Sequence, residues 1–101
     1  MIVVRNVFQL KFGKAKEALA HWKEGLPIFE RLGMPMKGSR ILTDVVGPFY
    51  TLVLENTFES LTDYERSGQR VMGDEQWRAW YARFTPLCEG GHREIFSVVE
   101  P

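Results

Sequence analysis

Residues 2–32, IVVRNVFQLKFGKAKEALAHWKEGLPIFERL, change their hydrophobic period part-way along, and that change decides the fold. The first nine residues are rich in Ile, Val and Phe and too few for a self-sustaining helix, so they read as a strand that Gly13 closes. From Lys14 onward, Ala15, Ala18, Leu19, Trp22 and Leu26 fall on one helical face, with Lys14, Lys16, Glu17 and Lys23 on the other. Gly25 and Pro27 are expected to interrupt this helix, because Pro27 has no N–H to return to Lys23. A short continuation through Phe29 and Leu32 then ends at Gly33.

Working outward, residues 33–38 (GMPMKG) read as a loop. Residues 39–46 and 49–58 read as two strands joined at Gly47-Pro48, a link short enough to make them an antiparallel hairpin. Ser60 with Asp63 resembles a capping box and opens a helix with Leu61, Tyr64, Gly68 and Val71 on one face. Gly73-Asp74 breaks it, and Asp74 caps a second segment in which Trp77, Trp80, Tyr81, Phe84 and Leu87 repeat at helical spacing. Gly90-Gly91 ends the helical part, leaving 92–99 as the last strand. The order β-α-β-β-α-β, with right-handed crossovers, predicts an α+β, ferredoxin-like fold: a four-stranded antiparallel sheet with two helices on one face.

With 101 residues the chain has room for one core, and residues 1–101 are read as a single domain. A composition of 45% hydrophobic and 26% charged residues is that of a globular protein and not of a disordered one. Thirteen basic and thirteen acidic residues cancel and are interspersed, so neither nucleic acid nor a membrane is expected as a partner. The N-terminal apolar stretch is too short for a signal peptide and is broken by Arg5 and Asn6; nowhere does a run of about 18 apolar residues occur. The lone Cys88 has neither a disulfide partner nor zinc-spaced neighbours, and a free thiol fits a reducing compartment, so the expected location is cytoplasmic.

The strands do not alternate cleanly between apolar and polar. Ile2, Val4, Phe8 and Leu10 share one parity while Val3 and Val7 hold the other; Phe49 and Val53 oppose Tyr50, Leu52, Leu54 and Phe58; Ile95 and Val99 oppose Phe96 and Val98. Two helices cover one face only. The other face needs a cover that the chain cannot supply, and a second copy of the sheet is the economical one, so a homodimer is expected. With Val4, Phe8, Leu52, Leu54, Phe96 and Val98 assigned to the helices, the opposite face carries Val3, Arg5, Val7, Gln9, Thr51, Val53, Glu55, Arg93 and Ser97.

Three stretches, VVRNVFQLKFGKAKEALAHWKE, DEQWRAWYARFTPL and GGHREIFSVVE, resemble the dimeric α/β-barrel superfamily, and the similarity covers nearly the whole chain. They are most similar to its NIPSNAP-like and antibiotic-biosynthesis-monooxygenase-like members. The resemblance implies a homodimer whose two sheets face each other; it implies no single activity, since the superfamily hosts haem degradation and cofactor-free oxygenation among other roles. Haem-degrading relatives use an Asn in the first strand, a Trp, and a haem-ligating His late in the second helix. Asn6 stands near the first of these positions and Trp77 or Trp80 near the second, but the ligand position falls at Tyr81, and neither His21 nor His92 lies in that helix. A tyrosinate can ligate haem iron, yet a Trp-Tyr-Phe cluster at helical spacing is ordinarily core. No cofactor and no metal are therefore expected.

His21 reads as a half-exposed surface histidine, His92 as a turn histidine, and neither is placed beside Cys88 or a serine as a nucleophile pair. Met34 and Met36, flanking Pro35, read as edge packing or as an adaptable pocket rim. An Arg on a covered sheet face is costly unless paired, and Glu55 has the matching parity, so Arg5–Glu55 is either a structural ion pair or part of a polar cavity in which Arg5 meets a ligand. The candidate ligand-binding residues are Arg5, Asn6, Glu55, Trp77 and Tyr81. Two functions stay open: binding or transformation of a small, largely apolar molecule between sheet and helices, or a non-catalytic binding or assembly module with a structural interior.

Overall fold

The computed structural model describes residues 1–34 and 36–100; Pro35, within the expected loop, lies outside them. Strand β1 spans Ile2–Leu10, helix α1 Ala15–Arg31, β2 Arg40–Thr43, β3 Thr51–Phe58, α2 Leu61–Met72, α3 Glu75–Phe84, and β4 Cys88–Ser97, with a single 3-10 turn at Thr85–Leu87 before β4. The strands form one sheet in the order β2-β3-β1-β4, every neighbouring pair antiparallel. This is the ferredoxin-like order, with the helical part after β3 divided in two at Gly73-Asp74 as the sequence predicts.

The caps behave as their chemistry requires. Ser60 Oγ accepts from the Asp63 N–H at 3.1 Å, and the Asp74 carboxylate accepts from the Trp77 N–H at 2.9 Å, each satisfying an otherwise orphaned donor of a helix's first turn. Helix α1, however, runs unbroken through Gly25 and Pro27. Losing one N–H···O bond at Pro27 is tolerated because the flanking turns are anchored by buried Trp22, Ile28 and Phe29. Gly25 is there for a different reason: a Cβ at this position would stand 2.4 Å from Cε2 of the Trp80 indole, so α1 and α3 approach only if residue 25 has no side chain. The two helices are further joined by a reciprocal pair of bonds. Trp80 Nε1 donates to the His21 carbonyl at 2.9 Å, and His21 Nε2 donates to the Trp80 carbonyl at 2.8 Å, with the two rings stacked 4.8 Å apart. His21 is half-exposed, as expected, and serves in addition as an interhelical clip.

The core lies between helices and sheet, with Leu10, Ala18, Trp22, Phe29, Leu52, Val71, Trp80 and Phe84 buried in one cluster. Leu61, placed by its spacing on the apolar face of α2, is exposed; Ser67 and Val71 are the buried residues of that helix. The hairpin strands are shorter than expected, with 44–50 forming the connection. The last strand begins at Cys88 and includes Gly90-Gly91, because these glycines pair with β1 (Gly90 with Gln9, Gly91 with Phe8) instead of ending a helix.

The phase of β4 is also the reverse of the expected one. Leu10 pairs with Cys88 but Gln9 with Gly90, so Glu89 is an extra residue, a β-bulge. Beyond it, Arg93 pairs with Asn6, Ile95 with Val4 and Ser97 with Ile2, which puts Arg93 and Ser97 on the helix side and Phe96 on the other. No helix among the described residues is long and apolar enough to cross a membrane.

Candidate functional site

The five residues singled out from the sequence divide between the two sides of the sheet. Arg5 and Glu55 are register partners on the side away from the helices, whereas Asn6, Trp77 and Tyr81 line the space between helices and sheet. They do not form one site.

On the outer side, Arg5 Nη2 and Nε donate to Glu55 Oε2 at 3.0 and 3.2 Å, and Arg40 donates to Oε1 through Nη2 and through Nε at 3.2 Å. The sequence pointed to Arg5; it missed Arg40, which reaches Glu55 because it is its partner across β2 and β3. The Arg40 guanidinium first, with Arg5 behind it, holds the Glu55 carboxyl below its ordinary range although burial pushes the other way. Arg5 also lies 3.9 Å from Glu94 and over the Phe96 ring at 5.4 Å. Both oxygens of Glu55 are occupied, which makes this a structural network. Its contribution is present above the unfolded value near 4.5 and is lost as pH falls through the depressed folded value. The Glu55 side chain is only 7% exposed, but Arg5 and Arg40 are 39% and 62% exposed and keep some hydration, so Glu55→Gln is expected to cost about 1–2 kcal/mol at neutral pH. The same substitution should flatten the loss of stability below pH 4.5 seen by thermal melts of the parent; parallel acid profiles would refute the assignment.

The inner side holds a cavity of about 660 Å³. Its floor is the helix-facing side of the sheet, where Val4, Asn6, Phe8, Leu54 and Asn56 project, and its walls are aromatic, with Trp22 and Phe29 from α1, Tyr64 from α2, and Trp77 and Tyr81 from α3. Trp77 stacks on Tyr81 with centroids 4.8 Å apart. Arg93 enters from β4: its Nε donates to Asn6 Oδ1 at 2.6 Å and its guanidinium lies 5.8 Å from the centroid of the Tyr64 ring. Asn56 is buried and accepts from Ser39 Oγ at 2.6 Å, while Ser67 Oγ donates to Met34 Sδ. Met34 therefore belongs to the cavity wall, in keeping with a rim role. Gly68, in the middle of α2, also lines the cavity, and a Cβ there would meet nothing within 4 Å. Sequence reasoning missed Arg93, Asn56, Ser67 and Gly68 as cavity residues. The adjacent small pair Ser67-Gly68 inside a helix was the available signal. A larger space beside it, about 1130 Å³, is an open groove carrying both acidic and basic side chains (Asp63, Arg66, Arg70) and encloses nothing.

The remaining reactive groups lie elsewhere. Burial pushes the Cys88 thiol up, which disfavours the thiolate a nucleophile needs. His92 sits within β4, 3.8 Å from Glu94, and not in a turn. Among the described residues, no three His, Cys, Asp or Glu side chains converge as a metal site would require.

Residues 4–100 match the model of the NIPSNAP family. The chain belongs to the NIPSNAP family. Solved structures agree at the level of fold. A NIPSNAP family protein from Agrobacterium tumefaciens superposes with a TM-score of 0.87 at 21% identity, covering 98% of this chain and 93% of that one. A NIPSNAP domain protein from Burkholderia xenovorans gives 0.84 at 20%, covering 98% and 95%. An antibiotic-biosynthesis-monooxygenase-like protein from Nitrosomonas europaea gives 0.74 at 15%, covering 99% and 100%. No curated protein matches the chain. The likeness read from the strand–Gly13–helix opening and the Trp77/Trp80 helix is thereby borne out. At such identities it speaks for the NIPSNAP fold alone, and the cavity has to be read from its own residues.

Proposed function

We propose that this chain is a homodimeric protein that binds a small, largely apolar molecule in the cavity between helices and sheet. The observation that carries the reading is the hollow itself, because interiors are normally close-packed and a space of about 660 Å³ with aromatic walls and a few fixed polar groups has the size and character of a ligand site. A module with a purely structural interior would have filled it, most easily at Gly68. A glycine in mid-helix costs about 1 kcal/mol relative to alanine, and here a side chain would find open space. The fold neighbours described as antibiotic biosynthesis monooxygenases favour small-molecule chemistry as well. Gly68→Leu is the test: thermal stability should hold or rise by up to about 1 kcal/mol, while uptake of a neutral probe such as 2-methylnaphthalene, followed by calorimetry, should be abolished. Undiminished binding in that variant would move the site elsewhere.

The dimer is supported by the outer side of the sheet, where Leu42, Val53, Val7, Val3 and Phe96 run across all four strands beside the Arg5–Glu55–Arg40 network with no layer of the described residues over them. Leu42 and Phe96 are exposed in the single chain. Sedimentation is expected to give a dimer at micromolar concentration, and a folded monomer there would refute it.

A further inference from the structure

We propose that the cavity takes an uncharged ligand presenting a carbonyl oxygen, and that the side-chain amide of Asn56 is the donor that receives it. The inference rests on the cavity being the binding site and adds the chemistry of its occupant.

Asn56 stands on the helix side of β3, opposite Val4 of β1, and is only 8% exposed. Its neighbours on that face of the strand, Leu52, Leu54 and Phe58, are apolar, as a position against the core requires. Asn56 Oδ1 accepts from Ser39 Oγ at 2.6 Å, which turns the other half of the amide, Nδ2, away from Ser39. Among the described residues nothing accepts from Nδ2, yet this nitrogen is not sealed off. It differs in this from the indole nitrogens of Trp22 and Trp77, which have neither a partner nor a surface that a ligand could reach. The little surface left to Asn56 lies where it lines the 660 Å³ cavity and an adjoining hollow of about 260 Å³. A half-satisfied amide inside the fold costs stability that an apolar side chain of the same shape would not. An acceptor brought by a ligand removes that cost.

Asn6 adds a second amide to the same floor. It pairs with Leu54, so it is the diagonal neighbour of Asn56 across β1 and β3. Its orientation is fixed, because Arg93 Nε can only donate and must therefore face Oδ1. Asn6 Nδ2 is thus turned away from Arg93 and has no acceptor among the described residues. Diagonal neighbours lie about 7–8 Å apart, a spacing at which one carbonyl oxygen with two lone pairs can be served by both amides.

The lack of charge decides between acceptors. Among the described residues no Asp or Glu lines the cavity, so nothing there pairs with a cation. Arg93 and His92 line it but are themselves solvent-exposed, and a hydrated side chain makes no demand for a counter-ion. An ionised group carried to Asn56 would exchange its hydration for neutral N–H groups, at a net loss. A carbonyl oxygen loses far less water and matches uncharged donors.

The test uses 2-acetonaphthone, its alkene isostere 2-isopropenylnaphthalene, in which a methylene group replaces the carbonyl oxygen, and 2-naphthoate. Calorimetry gives the ratio of ketone to alkene affinity, and Asn56→Leu should lower that ratio by about threefold to tenfold, the worth of one net hydrogen bond. A purely structural Asn56 would change both affinities alike. 2-Naphthoate should bind the parent about tenfold or more below 2-acetonaphthone. Two spectroscopic readouts use the parent alone, so they hold even if Asn56→Leu fails to fold. The C=O stretch of bound 2-acetonaphthone should fall below its value in an alkane solvent. In 15N-labelled protein the Asn56 side-chain N–H signals should move downfield with the ketone and not with the alkene. An unchanged affinity ratio, a carbonyl frequency equal to that in alkane, or amide signals alike with ketone and alkene overturns the assignment and leaves the cavity standing. 2-Naphthoate binding as tightly as the ketone overturns the uncharged class. If none of the three binds, the cavity reading falls with it.

Discussion

Replacing Trp80 by alanine is expected to destabilise the protein by about 3–5 kcal/mol, enough to lower the melting temperature by tens of degrees or to prevent folding altogether. Trp80 is 2% exposed and stands at the junction of both layers. Its ring meets Trp22 and Phe29 edge-on at centroid distances of 4.6 and 5.7 Å, lies parallel to Phe84 at 6.0 Å and stacks on His21. The substitution removes this buried surface, opens a void among rigid rings that cannot collapse into it, and deletes the indole N–H that ties α3 to the His21 carbonyl. A domain of this size has only about 5–15 kcal/mol in total. Thermal denaturation checks the outcome, and a variant melting with the parent would show that α1 and α3 do not pack as described. Trp80→Phe, which keeps a ring and loses the indole N–H, should fall between the two.

The second large effect is expected at Gly25, where the sign of a substitution depends on residue 80. Alanine is ordinarily the better helix former by about 1 kcal/mol, so Gly25→Ala in an exposed helix would stabilise. Here the added methyl group would meet three atoms of the Trp80 indole at 2.4–2.7 Å, a ring that is wedged on every side. Overpacking of this kind outweighs the propensity gain, and a net loss of about 2 kcal/mol is expected. In the Trp80→Ala background the same methyl group enters the void, and Gly25→Ala should become stabilising by up to about 1 kcal/mol. The double-mutant cycle measures this reversal directly. Additive effects would mean that residues 25 and 80 do not touch.

Much of this architecture was legible in the sequence because local rules and global packing agreed. The six apolar residues among the nine of β1, the Ser60 and Asp74 caps and the helical repeat through Trp77, Trp80 and Phe84 each point to the element that forms. The Arg5–Glu55 pair followed from parity alone, since both strands are regular along their shared register. Pro27 misled because tertiary burial of Trp22 and Phe29 outweighs one lost backbone bond. The cavity was half legible: Asn6, Trp77 and Tyr81 line it, but they were grouped with Arg5 and Glu55, which lie on the opposite side of the sheet. Its charge, Arg93, was assigned to the wrong side because β4 carries apolar residues in both phases, so its hydrophobic pattern does not fix its register. Arg40 was invisible for another reason. A four-residue edge strand with three exposed positions offers no pattern to read.

The extra residue at Glu89 is the point at which β4 takes up a slip of one residue against β1. Removing it would leave a regular ladder, with Cys88 opposite Leu10 followed directly by Gly90 opposite Gln9, so Arg93 would stay opposite Asn6 on the helix side of the sheet. The strand can therefore lose one residue at this point without exchanging its faces. Relatives that lack this one residue are expected to keep the same side chains on the same faces of the strand, and an alignment gap at this point should be weighed more lightly than a substitution in the cavity.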